Sequence, residues 1–326
     1  TGNSQTPRIM ADGETLIFSS NKIAPNKGGM DLYLTKQKNG NWSQPVALDF
    51  VNTAKDDQYV SANSLGRYLL RDSPGARKSE LVEYLFPSGI RPKGVMRIDG
   101  LLGDPSVPAY VSVFDLTNNT RVYNGRPRTD GTFTLYLSEG SLYEVSIDPE
   151  QGNIGYFNRL FNLKGEFMAS EKISVNLTPL QNGQEILLEL VSFKPGSAEL
   201  ETISMNELKR LARMMKSASD RKVEIQVLMR GYEEDVTPSK PDLTEVIVDS
   251  VLTQIDDIDT LGQLYKRDSL MVKRIYHNNR STKQAKVISE YLIAQGVSPN
   301  NIRIFGNAIP EAVLEKRKTI VKAVVR

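Results

Sequence analysis

The sequence contains no cysteine, and this absence removes several kinds of chemistry. A chain without thiols forms no disulfide framework, binds no metal through thiolates and has no cysteine nucleophile. Histidine is almost as scarce, because His277 is the only one among 326 residues. A single imidazole does not supply a multi-histidine zinc site or a choice of base for a catalytic triad. We therefore expect a protein that is not an enzyme, with no catalytic residues, no metal site and no cofactor.

Long hydrophobic runs and a charge excess of either sign are also missing. The longest apolar run, residues 186–191, is interrupted by Glu189, whereas a membrane helix needs ~18–20 apolar residues. The chain carries 41 Lys and Arg against 39 Asp and Glu, a net charge of +2. This balance gives no reason to expect a nucleic-acid partner. We expect no transmembrane segment in this chain.

The first residues carry no basic and then apolar signal segment, and the chain starts with Thr1 rather than methionine. We interpret this start as a processed or truncated end. A signal peptide, a lipid-anchor cysteine or further domains upstream are left open.

Residues 1–90 contain two copies of one strand pattern. The first reads DGETLIFSS and then GGMDLY, and the second reads SLGRYLL and then SELVEY, so that Gly66 follows Gly13 by 53 residues. All-β repeats of roughly this length are typical of propeller blades. The first copy resembles the TolB-type propeller repeat, which implies an incomplete set of blades. Because propellers close with ~4–8 blades, either further blades precede Thr1 or another surface covers these two.

Residues 85–95 have the composition of a linker, and strands with period-two alternation follow it. The module 93–176 resembles the carboxypeptidase regulatory-like (CNA-B or transthyretin-like) β-sandwich. The phrases PAYV at 108–111, TDGTF at 129–133 and GSLY at 140–143 carry this resemblance. It implies a spacer or docking module without catalysis.

The residue pattern of 186–326 predicts a strand, a helix, a strand, a long insert at 232–276, a second helix and two closing strands. Ser204 and Glu207 form a capping-box pattern that begins a helix over Ser204–Ser217. A second helix is expected over 281–294, ended by Gly296. Two helices on one face of a small sheet give an α+β layer.

Three phrases of this region resemble the OmpA-like domain, a family that holds peptidoglycan at the bacterial outer membrane. They are VSFKPGSAEL at 191–200, AKVISEYLIAQG at 285–296, and IRIFG at 302–306 followed by Pro310. The predicted fold class is therefore multidomain: all-β propeller blades and a β-sandwich, followed by an α+β OmpA-like domain.

The resemblance implies a pocket in which an Asp receives the ammonium of the wall's diamino acid and an Arg holds a carboxylate. This sequence has Arg230 and Gln284 at those positions, with His277 and Asn278 nearby. We interpret the four residues as a degenerate peptidoglycan pocket. The alternative is a rearranged pocket, in which Arg230 binds the carboxylate and the acidic residues at 233–235 receive the ammonium.

Apolar residues recur at every fourth position of the insert, at Leu243, Ile247, Val251 and Ile255. This spacing predicts an amphipathic helix. Its apolar stripe covers the domain's own core or docks a partner helix or subunit.

The domain order resembles outer-membrane-associated lipoproteins of the Bacteroidetes type, including those of type IX secretion and gliding machinery. This implies a periplasmic location at the outer membrane and other envelope proteins as partners. The first hypothesis is a non-enzymatic scaffold. The second is a peptidoglycan anchor with a rearranged pocket, and the third is a hydrolase or carbohydrate-processing enzyme, for which the sequence offers no nucleophile and base set.

Overall fold

A computed structural model describes residues 2–72, 81–195, 197–217, 221–230, 245–277, 279–309 and 319–326. Strands predominate over helices in these residues, as the all-β prediction for most of the chain requires. The chain divides into two compact units. The first is Thr1–Ile147 with Phe157–Leu177, and the second is Asp148–Tyr156 with Thr178–Arg326. No helix of the described residues is long and apolar enough to span a membrane.

The first unit begins with two antiparallel sheets. One contains β1 to β5 and the other contains β6, β7 and β8. The bounds are β1 Ser4–Ile9, β2 Thr15–Ser20, β3 Asp31–Lys38, β4 Asn41–Trp42, β5 Val46–Ala47, β6 Val60–Ala62, β7 Tyr68–Asp72 and β8 Leu81–Leu85.

The turn before β2 recurs before β7 with the spacing of the sequence repeat. The Gly13 amide donates to the Met10 carbonyl at 3.0 Å, and the Gly66 amide donates to the Asn63 carbonyl at 2.9 Å. Both glycines have a positive φ, +68° and +65°, which non-glycine residues rarely adopt. The repeat is thus a repeated strand-turn-strand unit, and the assignment of 1–90 to propeller blades stays a prediction.

A fully buried ion pair holds the second sheet to the segment that precedes it. The Arg71 guanidinium lies 2.7 Å from the Asp57 carboxylate, and both side chains have no exposed surface. Asp57 also accepts the Thr53 amide, and Arg71 donates to the Val51 carbonyl. The desolvation cost of two buried charges is offset only when each finds such partners.

We expect Arg71→Met to lower the free energy of unfolding by about 3–5 kcal/mol, because it leaves the Asp57 charge buried without its cation. Arg67→Met is the control, since Arg67 pairs at 3.8 Å with a largely exposed Glu166 and should change stability by about 0–1 kcal/mol. Denaturant unfolding measures both. Equal effects of the two variants would contradict this role of Arg71.

The segment predicted as a linker, 85–95, is fastened within the first unit. Arg91 donates two hydrogen bonds to Glu139, at 2.7 and 2.5 Å, and the Gly94 amide donates to the same carboxylate at 2.8 Å. Lys93 forms an ion pair with Glu14 at 2.8 Å. The hydrogen bonds from Arg91 hold the pKa of Glu139 below its usual value. The segment is therefore a fixed connection rather than a free tether.

The lowered pKa of Glu139 predicts a defined pH dependence of stability. Its contribution is complete above the unfolded-state pKa of about 4.3 and is lost as the pH falls through the lower folded-state pKa. Glu139→Gln should lower the free energy of unfolding by about 1–2 kcal/mol at neutral pH and by less in acid. Glu166→Gln is the exposed control, and an equal pH dependence in both variants would contradict the prediction.

Seven further strands of the first unit form two sheets in a sandwich-like arrangement. Their orders are β11-β10-β13-β14 and β12-β9-β15. The bounds are β9 Val95–Leu102, β10 Ala109–Asp115, β11 Thr120–Gly125, β12 Thr132–Ser138, β13 Leu142–Pro149, β14 Phe157–Asn162 and β15 Ser170–Val175. In β10, buried Val111 and Val113 alternate with less buried neighbours, as expected of strands with one face in a core.

The second unit contains a four-stranded sheet, a two-stranded hairpin and two helices in its described residues. The sheet order is β16-β21-β17-β20, with β17 parallel to β20 and antiparallel to β21. The bounds are β16 Glu185–Leu187, α1 Ser204–Ser217, β17 Val223–Arg230, β18 Glu245–Ile258, β19 Leu264–His277, α2 Asn279–Ala294, β20 Ile302–Ile309 and β21 Thr319–Val325, with a 3-10 turn at Pro299–Asn301.

Helix α1 has the bounds predicted from the sequence, and α2 begins two residues earlier than predicted. Both helices place their predicted apolar faces in one core with the inward side of the sheet. This core includes Leu208, Leu211, Met215, Val223, Ile225, Val227, Ala285, Ile288 and Leu292. Outside the insert, the elements follow the expected order of strand, helix, strand, helix, strand and strand. The insert lies between the second strand and the second helix.

The amphipathic helix predicted for the insert is wrong. The described part of the insert is a hairpin in which β18 and β19 pair from Glu245 with His277 to Ile258 with Leu264. A spacing of four residues also places side chains on one face of a strand, because the strand period is two. The β-branched run 246–248 favours the strand. Leu243 lies outside the described residues.

Candidate functional site

The candidate site lies where α2 begins, at the end of the central strand of the sheet. Arg230 is the last residue of β17 and is paired with Ile309 of β20. The chain leaves the sheet there, forms the insert and returns at Asn279 as the first residue of α2. The end of β17 and the start of α2 therefore flank the insert in the sequence.

Gln284 is buried at this site, with 4% of its surface exposed. Its Nε2 donates to the Ser197 carbonyl at 2.9 Å, which ties α2 to the turn that follows Phe193. That turn is closed by a bridge between Phe193 and Leu200. The Gln284 Oε1 is also buried and has no hydrogen-bond partner in the part of the chain that the structure describes.

The turn that receives Gln284 is held by two residues of α1. The Ser204 hydroxyl donates to the Ser192 carbonyl and accepts the Ser192 amide, both at 3.0 Å. Glu207, with no exposed surface, accepts the Leu190 amide at 2.6 Å. Ser204 and Glu207 thus fix the irregular segment that leads into the turn.

A buried cation at the site was missed by the sequence analysis. Arg280 lies one helical turn before Gln284 on the same face of α2, and only 7% of its surface is exposed. Ser281 beside it has no exposed surface. The signal that could have found Arg280 is its spacing of four residues from Gln284 and eight from the core residue Ile288.

Strand β20 touches the first turn of α2 through Gly306. A Cβ atom built on Gly306 would lie 2.4 Å from the Thr282 amide nitrogen and 2.7 Å from the Ser281 carbonyl carbon. Atoms do not approach so closely, so only glycine fits without a shift of strand or helix. The backbone of β20 therefore sets the height of α2 over the sheet and, with it, the position of Gln284.

We expect Gly306→Ala to lower the free energy of unfolding by about 1–3 kcal/mol, because the added methyl group must push β20 away from α2. Gly165→Ala is the control, since a Cβ atom there meets nothing within 4 Å. Urea unfolding of the two variants provides the comparison. A loss no larger than that of the control would show that the contact yields easily.

The other predicted pocket residues are only partly described. His277 is the last residue of β19 and is paired with Glu245, whereas Asn278 lies outside the described residues. Arg230 and His277 are described by their positions at the ends of β17 and β19. No group of three or more possible metal ligands occurs among the residues for which positions are given.

The predicted docking residues lie on the hairpin. Ile247 in β18 is paired with Ile275 of β19. Val251 and Ile255 lie further along β18, with 52% and 39% of their surfaces exposed. They therefore do not belong to the core of the second unit.

Comparisons with known proteins give no family for this chain. No family model and no curated protein matches it. A crystal structure of the group B streptococcus pilus 2b backbone protein matches at 10% identity and a TM-score of 0.24, over 55% of this chain and 84% of that one. The Bacillus anthracis TIE protein matches at 8% identity and a TM-score of 0.20, over 91% of this chain and 59% of that one.

Proposed function

We propose that this protein is a non-enzymatic scaffold of the bacterial envelope, located in the periplasm in association with the outer membrane. In this proposal, residues 186–326 are an OmpA-like domain that has lost its wall-binding pair, and the chain holds other envelope proteins. In the same proposal, residues 1–90 and 93–176 are modules of an assembly of the type IX secretion or gliding kind, as their resemblances imply.

The observation that carries the proposal is the inward use of Gln284. A guanidinium holds a carboxylate with a planar fork of donors, whereas an amide has one NH2 group. That group of Gln284 donates to the Ser197 carbonyl within the domain. A carboxylate at this position would therefore be offered at most the one remaining N–H of the amide and would receive no positive charge from residue 284.

The second support comes from the sequence position of Arg230. The family's pocket has an Asp where β17 ends, and a cation there repels an incoming ammonium. At a separation of 4 Å the repulsion amounts to about 1 kcal/mol in water and about 4 kcal/mol near a protein surface. The two exchanges together remove both charges that the wall peptide would need.

A peptidoglycan anchor with a rearranged pocket is the second candidate, and Arg280 favours it. This buried cation lies one turn from Gln284 at the N-terminal end of α2, where the helix dipole also favours an anion. A wall carboxylate that reached Arg280 would find a positive group four residues before the expected position.

Cosedimentation of the full chain with purified diaminopimelate-type peptidoglycan distinguishes the two candidates. For a scaffold we expect the protein to stay in the supernatant, and the double variant Arg230→Asp with Gln284→Arg to move towards the pellet. Arg303→Ala is a control for nonspecific charge effects, because this arginine is exposed on β20. Retention of the unaltered chain that is lost in Arg280→Ala or Arg230→Ala would establish the anchor and overturn the scaffold.

A scaffold must also have partners in the envelope. Crosslinking in cells, followed by purification of the tagged chain, should recover other envelope proteins in stoichiometric amounts. A chain that purifies alone under these conditions contradicts the proposal.

A further inference from the structure

The hairpin of β18 and β19 is long for a two-stranded sheet. Each strand has fourteen residues, and the register is continuous from Glu245 with His277 to Ile258 with Leu264. At about 3.3 Å per residue, such a ribbon extends roughly 46 Å. Its tip is closed by hydrogen bonds, because the Asp259 carboxylate accepts the Leu261 and Gln263 amides at 2.9 and 2.8 Å.

The outer part of this hairpin has an unusual surface. Residues 251–271 include no buried residue, yet many of them are large and apolar. A two-stranded hairpin is marginally stable in water by itself and gains stability when a hydrophobic face is covered. The exposed apolar surface therefore indicates that another surface packs against the hairpin.

The two faces of the outer hairpin differ in composition. The even-numbered residues form what we call the leucine face. Its strand members in the outer hairpin are Leu252, Gln254, Asp256, Ile258, Leu264, Lys266, Asp268 and Leu270. The four aliphatic side chains are 72%, 64%, 76% and 59% exposed in chain order.

Cross-strand pairing gives the leucine face an internal match at every level. Leu252 is paired with Leu270 and Ile258 with Leu264, so each aliphatic level is aliphatic on both strands. The level between the tip and the centre pairs Asp256 with Lys266. The remaining level pairs Gln254 with Asp268, and the Gln254 Nε2 donates to the Asp268 carboxylate at 3.2 Å. Each level thus contains two apolar groups, two groups of opposite charge, or an amide and the carboxylate that it donates to.

This pattern makes the leucine face complementary to a second copy of itself. A two-fold axis along the hairpin places β18 of one chain over β19 of the other at equal levels. Aliphatic residues then meet aliphatic residues, and Asp256 of each copy faces Lys266 of the other. A symmetric interface requires this kind of self-complementary patch.

The opposite face fails the same operation. There Ile255 is paired with Arg267, so the two-fold axis would place an aliphatic side chain over a guanidinium. Arg267 already has an ion pair with Asp257 on its own hairpin, at 3.2 Å. The charge pattern therefore selects the leucine face.

We propose that two copies of this chain associate through the leucine faces of their hairpins, related by a two-fold axis along the hairpins. The inference does not depend on the scaffold function or on the pocket at α2. The chain can form the dimer even if it binds no envelope partners, and it can bind envelope partners as a monomer. The two proposals therefore stand or fall separately.

Sedimentation velocity of the full chain over a range of concentrations tests the association. We expect a reversible dimer for the unaltered protein. Leu270→Ser should raise the dimer dissociation constant by roughly tenfold or more, because it removes an apolar contact on both sides of the axis. Met271→Ser is the matched control on the other face, and its dissociation constant should stay within about twofold of the original.

Charge exchange tests the geometry of the same interface. Asp256→Lys places lysine over lysine at two symmetric contacts and should weaken the dimer by roughly tenfold. The double variant Asp256→Lys with Lys266→Asp restores opposite charges and should recover the original dissociation constant. Arg267→Glu is the control, because it also breaks a charge pair within the hairpin but lies on the other face.

The absence of cysteine allows a direct measure of direction. A spin label on Thr260→Cys lies at the hairpin tip, and a two-fold axis along the hairpins brings the two tips to the same end. We expect a short distance between labels, of the order of the ~10 Å spacing of packed sheets plus the two linkers.

Three results would each overturn the proposal. They are a monomer at every concentration, a loss of dimer in Arg267→Glu as large as in Asp256→Lys, and tips separated by the length of two hairpins. A monomer whose hairpin binds a different protein would likewise show that the partner is not a second copy.

Discussion

The central position of β17 is the constraint on which the functional features of the second unit depend. This strand is hydrogen-bonded on both sides, to β20 and to β21, so its backbone cannot shift without breaking two ladders. Its last residue, Arg230, fixes the point where the insert leaves the sheet. The helix that follows the insert is held at a set height by Gly306. The end of β17 and the first turn of α2 are therefore positioned by the same buried framework.

That framework explains why residue 284 is important even without a ligand. A buried amide needs hydrogen-bond partners, and Gln284 finds one in the Ser197 carbonyl. The turn around Ser197 is in turn held through Ser204 and Glu207 of α1. In this arrangement, a side chain at a position that binds ligand in the proposed family serves as a connection between the two helices. The neutral amide that is held to the Ser197 carbonyl offers a ligand at most one further N–H and no positive charge, so this position is suited to structure rather than to recognition of an anion.

The sequence predicts an element correctly where the spacing of its apolar residues fits only one kind of secondary structure. It fails where the same spacing fits both a helix and a strand. Helix α1 was predicted to the residue, because its apolar positions fall three and four apart and a capping pattern begins it. The spacing of Ile247, Val251 and Ile255 fits a helix and a strand equally, so it does not distinguish the hairpin from a helix. The contact at Gly306 was not predictable, since it depends on how closely a strand and a helix far apart in sequence approach. The burial of Arg280 does not follow from the resemblance, which has its ligand-binding arginine at position 284.

The charges of the hairpin bear on how a long exposed ribbon stays specific. Free edges of long strands are sites of uncontrolled pairing, and natural proteins often place charges there. On the leucine face, a slip of two residues between the packed ribbons would place Asp256 of one copy over Leu264 or Asp268 of the other. The paired charges therefore do more than keep the ribbon soluble, because they penalise every register except the one that matches acid to base.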